Sequence, residues 1–578
     1  SLSGAYLKTM DEAKALLESL EAYPNVKAEL ETAIADAAVA EGATEEQYGE
    51  ALDKLNVAIS RVNDFLANIE KLNELVSQAE TILASAECEA LAQALAQVKA
   101  LDVNTATADD YLAAINALRE ELAYYNASQV SRDEWNFTQT LYTEIDNVRA
   151  YFKVDETNHL AEFIGFNGNL NETEWIMPSY FLLNGEVCPV VAIANEYQYA
   201  QSTIQKVTLP KSLRYIGNSA FYYFQALTSM DIPASVEYID DNAFYRASSL
   251  RDIYLHSETP LACSDYAFSN SSGRLVVHIP DGVFHDYRIS SPWGNYVIVP
   301  ETPVEINVNV ADAGELGRLA VDEAGYLQEI NKLVVSGALN NDDWETIKSM
   351  SNLIDIDMSG VINTTIPSSQ FNGKWAISNV VLPSNLETIE SYAFQETGIS
   401  SIELPQTLKS IYYRAFRNCK SLQSIELPAS LTLMGGYPIE SSPNLQTVRF
   451  NEGLTTIPNS CFSNCNLTEL TLPSTLTDIQ SSAFANNKKL EKFTSPDALV
   501  TIGNSAFSEC RALKEVKLNE GLQTLEGYAF AYNDSLSSVT LPSSLRTCAN
   551  APFYGCGNLK TIVTNAVVPP STGNSCPL

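Results

Sequence analysis

The chain has 578 residues, 45% apolar and 18% charged, so it is globular in composition and too long for one core; several domains or a repeat array are expected. Its 35 basic residues face 71 acidic ones, a formal charge of −36, which argues against nucleic acid and anionic membrane surfaces as partners. No apolar run is long enough for a transmembrane helix, and Ser1 opens the chain without Met or a charged-then-apolar leader, which predicts a form from which any export signal has been removed.

Residues 1–128 contain one proline, Pro24, and space their apolar residues at about 3.6: Leu16 and Leu20; Leu30, Ile34 and Ala37; Leu52, Leu55, Ile59 and Val62. Breaks fall at Tyr23-Pro24, Glu41-Gly42 and Val103-Asn104. Thr44 before Glu45-Glu46, and Thr107 before Asp109-Asp110, read as N-caps with acids in the first turn. The segment repeats itself: Tyr48, Leu52, Leu55 and Ile59 recur 63 residues later as Tyr111, Ile115, Leu118 and Leu122. Two three-helix bundles in tandem are expected. The pattern resembles the FIVAR-type helical modules of bacterial surface proteins. With 8 basic against 23 acidic residues it suits a solvated spacer or stalk, the alternative being a binding bundle.

Residues 129–300 are expected to form a β opening cap, a short repeat block and a closing cap. Asn184-Gly185 between Ser179–Leu183 and Glu186–Ile193 is a hairpin signal. Val207, Met230, Ile253 and Val277 are strand positions, Phe221, Phe244 and Phe268 recur beside them, and Tyr287, Trp293 and Val297 can close the stack.

Residues 301–578 carry the longer block. After an opening with a helix expected over Asp342–Met350, the inner strand residue runs Leu333, Ile356, Val380, Ile402, Ile425, Val448, Leu470, Phe493, Val516, Val539 and Ile562, in steps of 22 to 24 residues. A phenylalanine column runs Phe394, Phe416, Phe462, Phe484, Phe507, Phe530 and Phe553, with Ile439 substituting once. Such a period means a solenoid, each coil burying its apolar side on its neighbours. The fold class is therefore multidomain: N-terminal all-α bundles followed by two solenoids of short parallel strands with about 23 residues per coil. Ile253–Pro260 matches Ile562–Pro569, after which only 9 residues remain, so the natural chain is expected to continue.

The motif Leu-Pro-x-x-Leu-x-x-Ile-x-x-x-Ala-Phe-x-x-Cys-x-x-Leu-x-x-Ile, legible in Leu404–Ile425 with Tyr412-Tyr413-Arg414 as its variable link, resembles the BspA-like leucine-rich repeat family of bacterial surface proteins. The resemblance spans residues 200–578, or from 129 with caps. It implies export to the cell surface and a role in adhesion or in host or matrix contact.

Ten Cys and four His form no Cys-x-x-Cys, His-Glu-x-x-His or Gly-x-x-x-x-Gly-Lys, so no metal, cofactor or catalytic residue is assigned. Cys419, Cys465, Cys510 and Cys556 each follow a column phenylalanine by three, alternating with Ser442, Asn487 and Asn533. An inward side chain that bonds the turn backbone fits that choice. Cysteines two coils apart lie roughly 9.6 Å from each other, beyond the about 7 Å a disulfide allows, so free buried thiols are expected. Asp355–Gly360 starts like a calcium loop but lacks the distal Glu and reads as strand; Asn340–Asp343 reads as a helix cap.

The function expected is that of a non-catalytic extracellular or cell-surface protein that presents its solenoids to a matrix, host or other cell-surface protein. Candidate contact residues on the strand face are Glu426, Arg449, Glu469, Lys492, Glu515 and Lys517, with opposite charges on consecutive coils. Carbohydrate capture is the alternative, carried by Tyr215, Tyr238 and Tyr254 at outward positions of the first block.

Overall fold

The computed structural model describes residues 1–145, 147–197, 199–565 and 571–572; the chain end on which the expected continuation and Cys576 bear lies outside them. An N-terminal helical region is followed by a β-solenoid. The chain divides into two compact units, Ser1–Leu250 with Leu261–Gly273, and Arg251–Pro260 with Arg274 onward.

In the first unit, α1 (Leu2–Leu16), α2 (Pro24–Asp36), α3 (Glu45–Leu83), α4 (Glu89–Lys99) and α5 (Ala108–Gln129) follow one another. Thr44 and Thr107 close capping boxes with Gln47 and Asp110. The two expected bundles share a helix. After Gly49 no Gly or Pro interrupts α3, so the last helix of the first bundle runs on as the first helix of the second. Its N-terminal part sets Ala51 and Leu55 against Tyr6, Met10 and Ala13 of α1, and its C-terminal part sets Ala79 against Leu91, Leu95, Leu118 and Leu122. At the join, Tyr23, Phe65 and Tyr111 meet edge to face with centroids 5.1 to 5.5 Å apart. Arg214 then ties α5 to the first coils, donating from Nη1 to the carbonyls of Ala127 (3.1 Å) and Val130 (2.6 Å) and so satisfying carbonyls the helix end leaves open.

The β opening consists of antiparallel strands Gln139–Ile145, Val148–Asp155 and Leu160–Phe166, and the last pairs in parallel with Glu186–Ile193. Asn184 (φ 52°) and Gly185 (φ 84°) make the expected hairpin turn. From there two-residue strands at Tyr215–Ile216, Tyr238–Ile239 and Ala262–Cys263 stack in parallel.

The second unit begins with Asp252–Leu255, Val276–Ile279 and Val297–Pro300, closed by fully buried Tyr287 and Trp293. Buried Asn331 and Asn352 stitch that closing strand to the next stretch: Asn331 Nδ2 donates to the Ile298 carbonyl (2.8 Å), and the Ile298 amide donates to Asn352 Oδ1 (2.7 Å). Strands Glu305–Val310, Lys332–Gly337, Asp355–Val361 and Asn379–Val381 follow in parallel, with the helix Asn341–Ser349 capped by Asn340. Ile356 and Met358 are fully buried, which makes the calcium-like stretch a core strand.

Most later coils have one strand on a main ladder, a two-residue strand on a second ladder, and a phenylalanine corner. The corner explains itself in backbone terms. Residues two before and two after the phenylalanine take positive φ, as Ser505 (54°) and Glu509 (58°) do around Phe507. That alternation aims every second amide at the next coil: Ser505, Phe507 and Glu509 donate to the carbonyls of Gly527, Ala529 and Ala531 at 2.9, 2.7 and 2.8 Å. The phenylalanines stack nearly parallel at 5.1 to 5.8 Å, and Phe371, which the periodicity omitted, heads the column.

Two expected strands are missing from the main ladder. Residues around Ile402 and Leu470 form no ladder strand, and they are the two that stand 22 residues after their predecessors. Each lost residue lies between the corner and the strand, as in Phe394–Ile402 against Phe416–Ile425, so the chain arrives short of register.

Candidate functional site

On the main ladder, strands Lys492–Thr494, Glu515–Lys517 and Ser538–Leu541 bury Phe493, Val516 and Val539 and turn the residues between them outward. Lys492 and Glu515 face each other in register and pair at 3.6 Å; Lys517 pairs with the same carboxylate at 2.7 Å, and Lys514 with Glu491 at 3.3 Å. The hydrogen bond and charge of Lys517, with Lys492 behind it, hold the Glu515 carboxyl below its ordinary range. Glu426 and Arg449 lie opposite each other on Ser424–Leu427 and Thr447–Phe450, both exposed. Glu469 is exposed beside one of the missing strands.

The three tyrosines of the first block are not one platform. Tyr215 and Tyr238 stack at 6.1 Å on the second ladder, half-buried, with the Arg132 guanidinium 3.7 Å and 5.8 Å from their ring centroids. The Tyr215 hydroxyl donates to Asp240, and burial pushes its pKa up to about 12. Tyr254 sits instead on the main ladder of the second unit, 40% exposed, its ring 4.3 Å from His278 and nearly parallel to it.

The repeat cysteines bond backbone. Cys419, Cys510 and Cys556 donate from Sγ to the carbonyls of Phe394 (3.2 Å), Phe484 (3.3 Å) and Phe530 (3.1 Å) of an earlier coil. Asn487 Nδ2 does the same for Phe462 (2.9 Å) and adds Phe484 (2.7 Å). Burial raises the thiols of Cys419 to about 11 and of Cys465 and Cys510 to about 12, which keeps them protonated at neutral pH. Cys88, Cys188, Cys263, Cys419, Cys461, Cys465, Cys510 and Cys556 are free thiols, and no group of three His, Cys, Asp or Glu among the described residues is placed to hold a metal ion. Nor is any described helix long and apolar enough to cross a membrane.

One constellation escaped the periodicity. Tyr392, Tyr413 and Tyr437, on three successive coils, meet edge to face at 5.5 and 5.8 Å, and Arg414 lies over the last two rings at 4.7 and 5.4 Å. Tyr412 is exposed beside them. Tyr392, Arg414 and Tyr437 share one repeat position, the positive-φ residue two before the column, while Tyr413 and Tyr412 stand three and four before Phe416; the residue type at these positions changes from coil to coil, so the apolar columns do not mark them.

The repeat region matches the family described as BspA type leucine rich repeat region, in 6 copies, over residues 191–286, 364–491 and 477–569. Among solved structures, the chain is similar to a leucine-rich repeat protein from Bacteroides ovatus (19% identity, 71% of this chain and 95% of that one, TM-score 0.32). It is also similar to a leucine rich cell surface protein from Faecalibacterium prausnitzii (18% identity, 66% and 95%, TM-score 0.21) and a leucine-rich repeat protein from Eubacterium ventriosum (16% identity, 76% and 99%, TM-score 0.26). No curated protein matches the chain.

Proposed function

Matched over more than half its length, the chain belongs to the BspA-type leucine-rich repeat family, and on that premise we propose that it is a non-catalytic interaction protein, exported and displayed at the cell surface, whose solenoid contacts a matrix, host or other cell-surface protein. Residues 1–128, FIVAR-like in pattern, act as the spacer. One observation carries the reading: the main ladder over 492–541 fixes alternate side chains in the core and presents the others as a rigid, solvent-facing polar array. Exposed ion pairs of that kind add only about 0–1 kcal/mol each to folding, so what they chiefly set is which surfaces can approach. Arg449, Glu469, Lys492, Glu515 and Lys517, with Glu426, are the contact residues proposed.

The test is binding of the full chain to a panel of matrix and cell-surface proteins, repeated with the double variant Lys492→Glu, Lys517→Glu. Reversing both charges leaves Glu515 among like charges, and binding should weaken by about tenfold or more. Unchanged binding removes the ladder as the site. Carbohydrate capture keeps one supporting observation, the flat, partly exposed pair Tyr254 and His278, with Asp252 2.8 Å from His278 Nε2. Loss of glycan binding in Tyr254→Ala would favour it.

A further inference from the structure

Among the described residues, no carboxylate compensates the Arg414 cation. Neighbouring charges are closed pairs: Arg417 with Glu440 at 2.7 Å, and Arg274 with Glu396 at 3.1 Å. Arg414 lies on the rings of Tyr413 and Tyr437, its Nε–H buried without an acceptor, and no carboxylate among the described residues pairs with it.

The backbone makes the placement more telling. Arg414 (φ 56°), Tyr392 (φ 61°) and Tyr437 (φ 58°) occupy the positive-φ position two residues before the column residue. The same position holds Ser460, Ser482 and Ser505 in later coils, and Tyr528 after them. Bulky side chains are poorly suited to that conformation, and the solenoid closes without them where serine stands. Gly436 leaves the flank of the Tyr413 ring uncovered, a Cβ there standing 3.8 Å from Cδ2, whereas Gly435 packs backbone to backbone, a Cβ there meeting the Tyr413 amide nitrogen at 2.6 Å.

We propose that Tyr392, Tyr412, Tyr413, Arg414 and Tyr437 form a docking ridge for an acidic segment of a protein partner, in which an Asp or Glu carboxylate pairs with the terminal amino groups of Arg414 while flanking apolar residues lie on the tyrosines. Tyrosine and arginine are the residues that concentrate binding energy at protein interfaces, and a ring-held guanidinium is already ordered for a carboxylate. A sulfated polysaccharide would suit a field of basic residues; here a single arginine without a carboxylate partner among the described residues matches one carboxylate rather than a run of anions. The ridge deepens the interaction-protein reading and rests on it, but it uses none of the ladder residues and is tested apart from them.

The experiment selects short random peptides from a displayed library on the full chain and measures their affinity, with heparin as a separate arm. Acidic residues should be enriched, binding should weaken as salt rises, and Arg414→Ser should lose about tenfold or more. Arg414→Ser keeps the fold because serine is already the residue at that position of other coils; Tyr412→Ser, at an exposed ring, is the second variant. Arg414→Lys should fall between, keeping charge without the fork. The double variant Lys492→Glu, Lys517→Glu should bind the same peptides unchanged, so loss there and loss at Arg414 report on different claims. No acidic enrichment, or full affinity in both Arg414→Ser and Tyr412→Ser, overturns the ridge; Arg414-dependent heparin binding without peptide selection overturns its assignment to protein.

Discussion

Asn487 shows what the column three residues after each phenylalanine is for. Its amide donates to two carbonyls of the phenylalanine corner, and Phe462 relies on it, whereas Phe484 also accepts from Cys510. Removing Asn487 should therefore cost more than removing Cys510: about 1–3 kcal/mol for Asn487→Ala, because a buried acceptor loses its donor, and less for Cys510→Ala. Ser442 is the defective member, fully buried with a hydroxyl that finds no partner among the described residues. Ser442→Asn should raise stability by about 1 kcal/mol if the amide reaches the corner carbonyls as its neighbours do. Chemical denaturation of the variants checks all three. Phe484→Ala or Phe507→Ala, emptying a slot between rings stacked at 5.1 Å, should cost about 3–5 kcal/mol and leave distant coils folded; unchanged thermal unfolding would mean the register is wrong. The alternation of Cys, Asn and Ser at one spacing revealed an inward bonding position. Its acceptor, a carbonyl of an earlier coil, is not a sequence neighbour, and spacing alone does not identify it.

At the scale of elements, the 22-residue coils are the weak points. Among the described residues, the amides of 401–404 and of 469–472 have no backbone acceptor, while those of the 23-residue coils sit in parallel ladders. Hydrogen exchange followed by mass spectrometry should find both segments exchanging before 424–427 and 492–494; equal protection would contradict the interrupted ladder. Here the spacing was on the page and its meaning was not. A one-residue deficit looks like tolerable drift in a column of apolar residues, and Ile402 and Leu404 do stay buried with Glu403 exposed, yet the amides around them form no ladder bonds. The helices show the complementary case. The breaks at Pro24, Gly42 and Asn104 were legible because each carries a local signal. The continuous α3 was not, because the repeat of 63 residues suggested two separate bundles, and only the lack of any Gly or Pro after Gly49 speaks for one helix. The tyrosine ridge was missed for a different reason: Tyr392, Arg414 and Tyr437 share one repeat position, two before the column, but the residue type there changes from coil to coil, and Tyr412–Arg414 read as a variable link.

For the whole molecule, the second unit takes in the closing strand Val297–Pro300 and everything that follows from Glu305, with the boundary at 300/301 inside it. Asn331 and Asn352 bridge the two sides through Ile298, and both are buried. Asn331→Ala or Asn352→Ala should each destabilise by about 1–3 kcal/mol, since the Ile298 amide and carbonyl would lose partners they cannot recover from water. The expected readout is earlier thermal unfolding with the N-terminal helices unaffected; no shift would mean the stitch contributes nothing.

The claim that this is an interaction solenoid with a defined protein-contact surface is tested most directly by one array carrying matrix proteins, cell-surface proteins and glycans, probed with the full chain, with Lys492→Glu, Lys517→Glu, and with Arg414→Ser. Saturable binding to one or more proteins, reduced by about tenfold or more in at least one of the two variants, is the result expected. Binding confined to glycans, or protein binding that both variants retain in full, would contradict it.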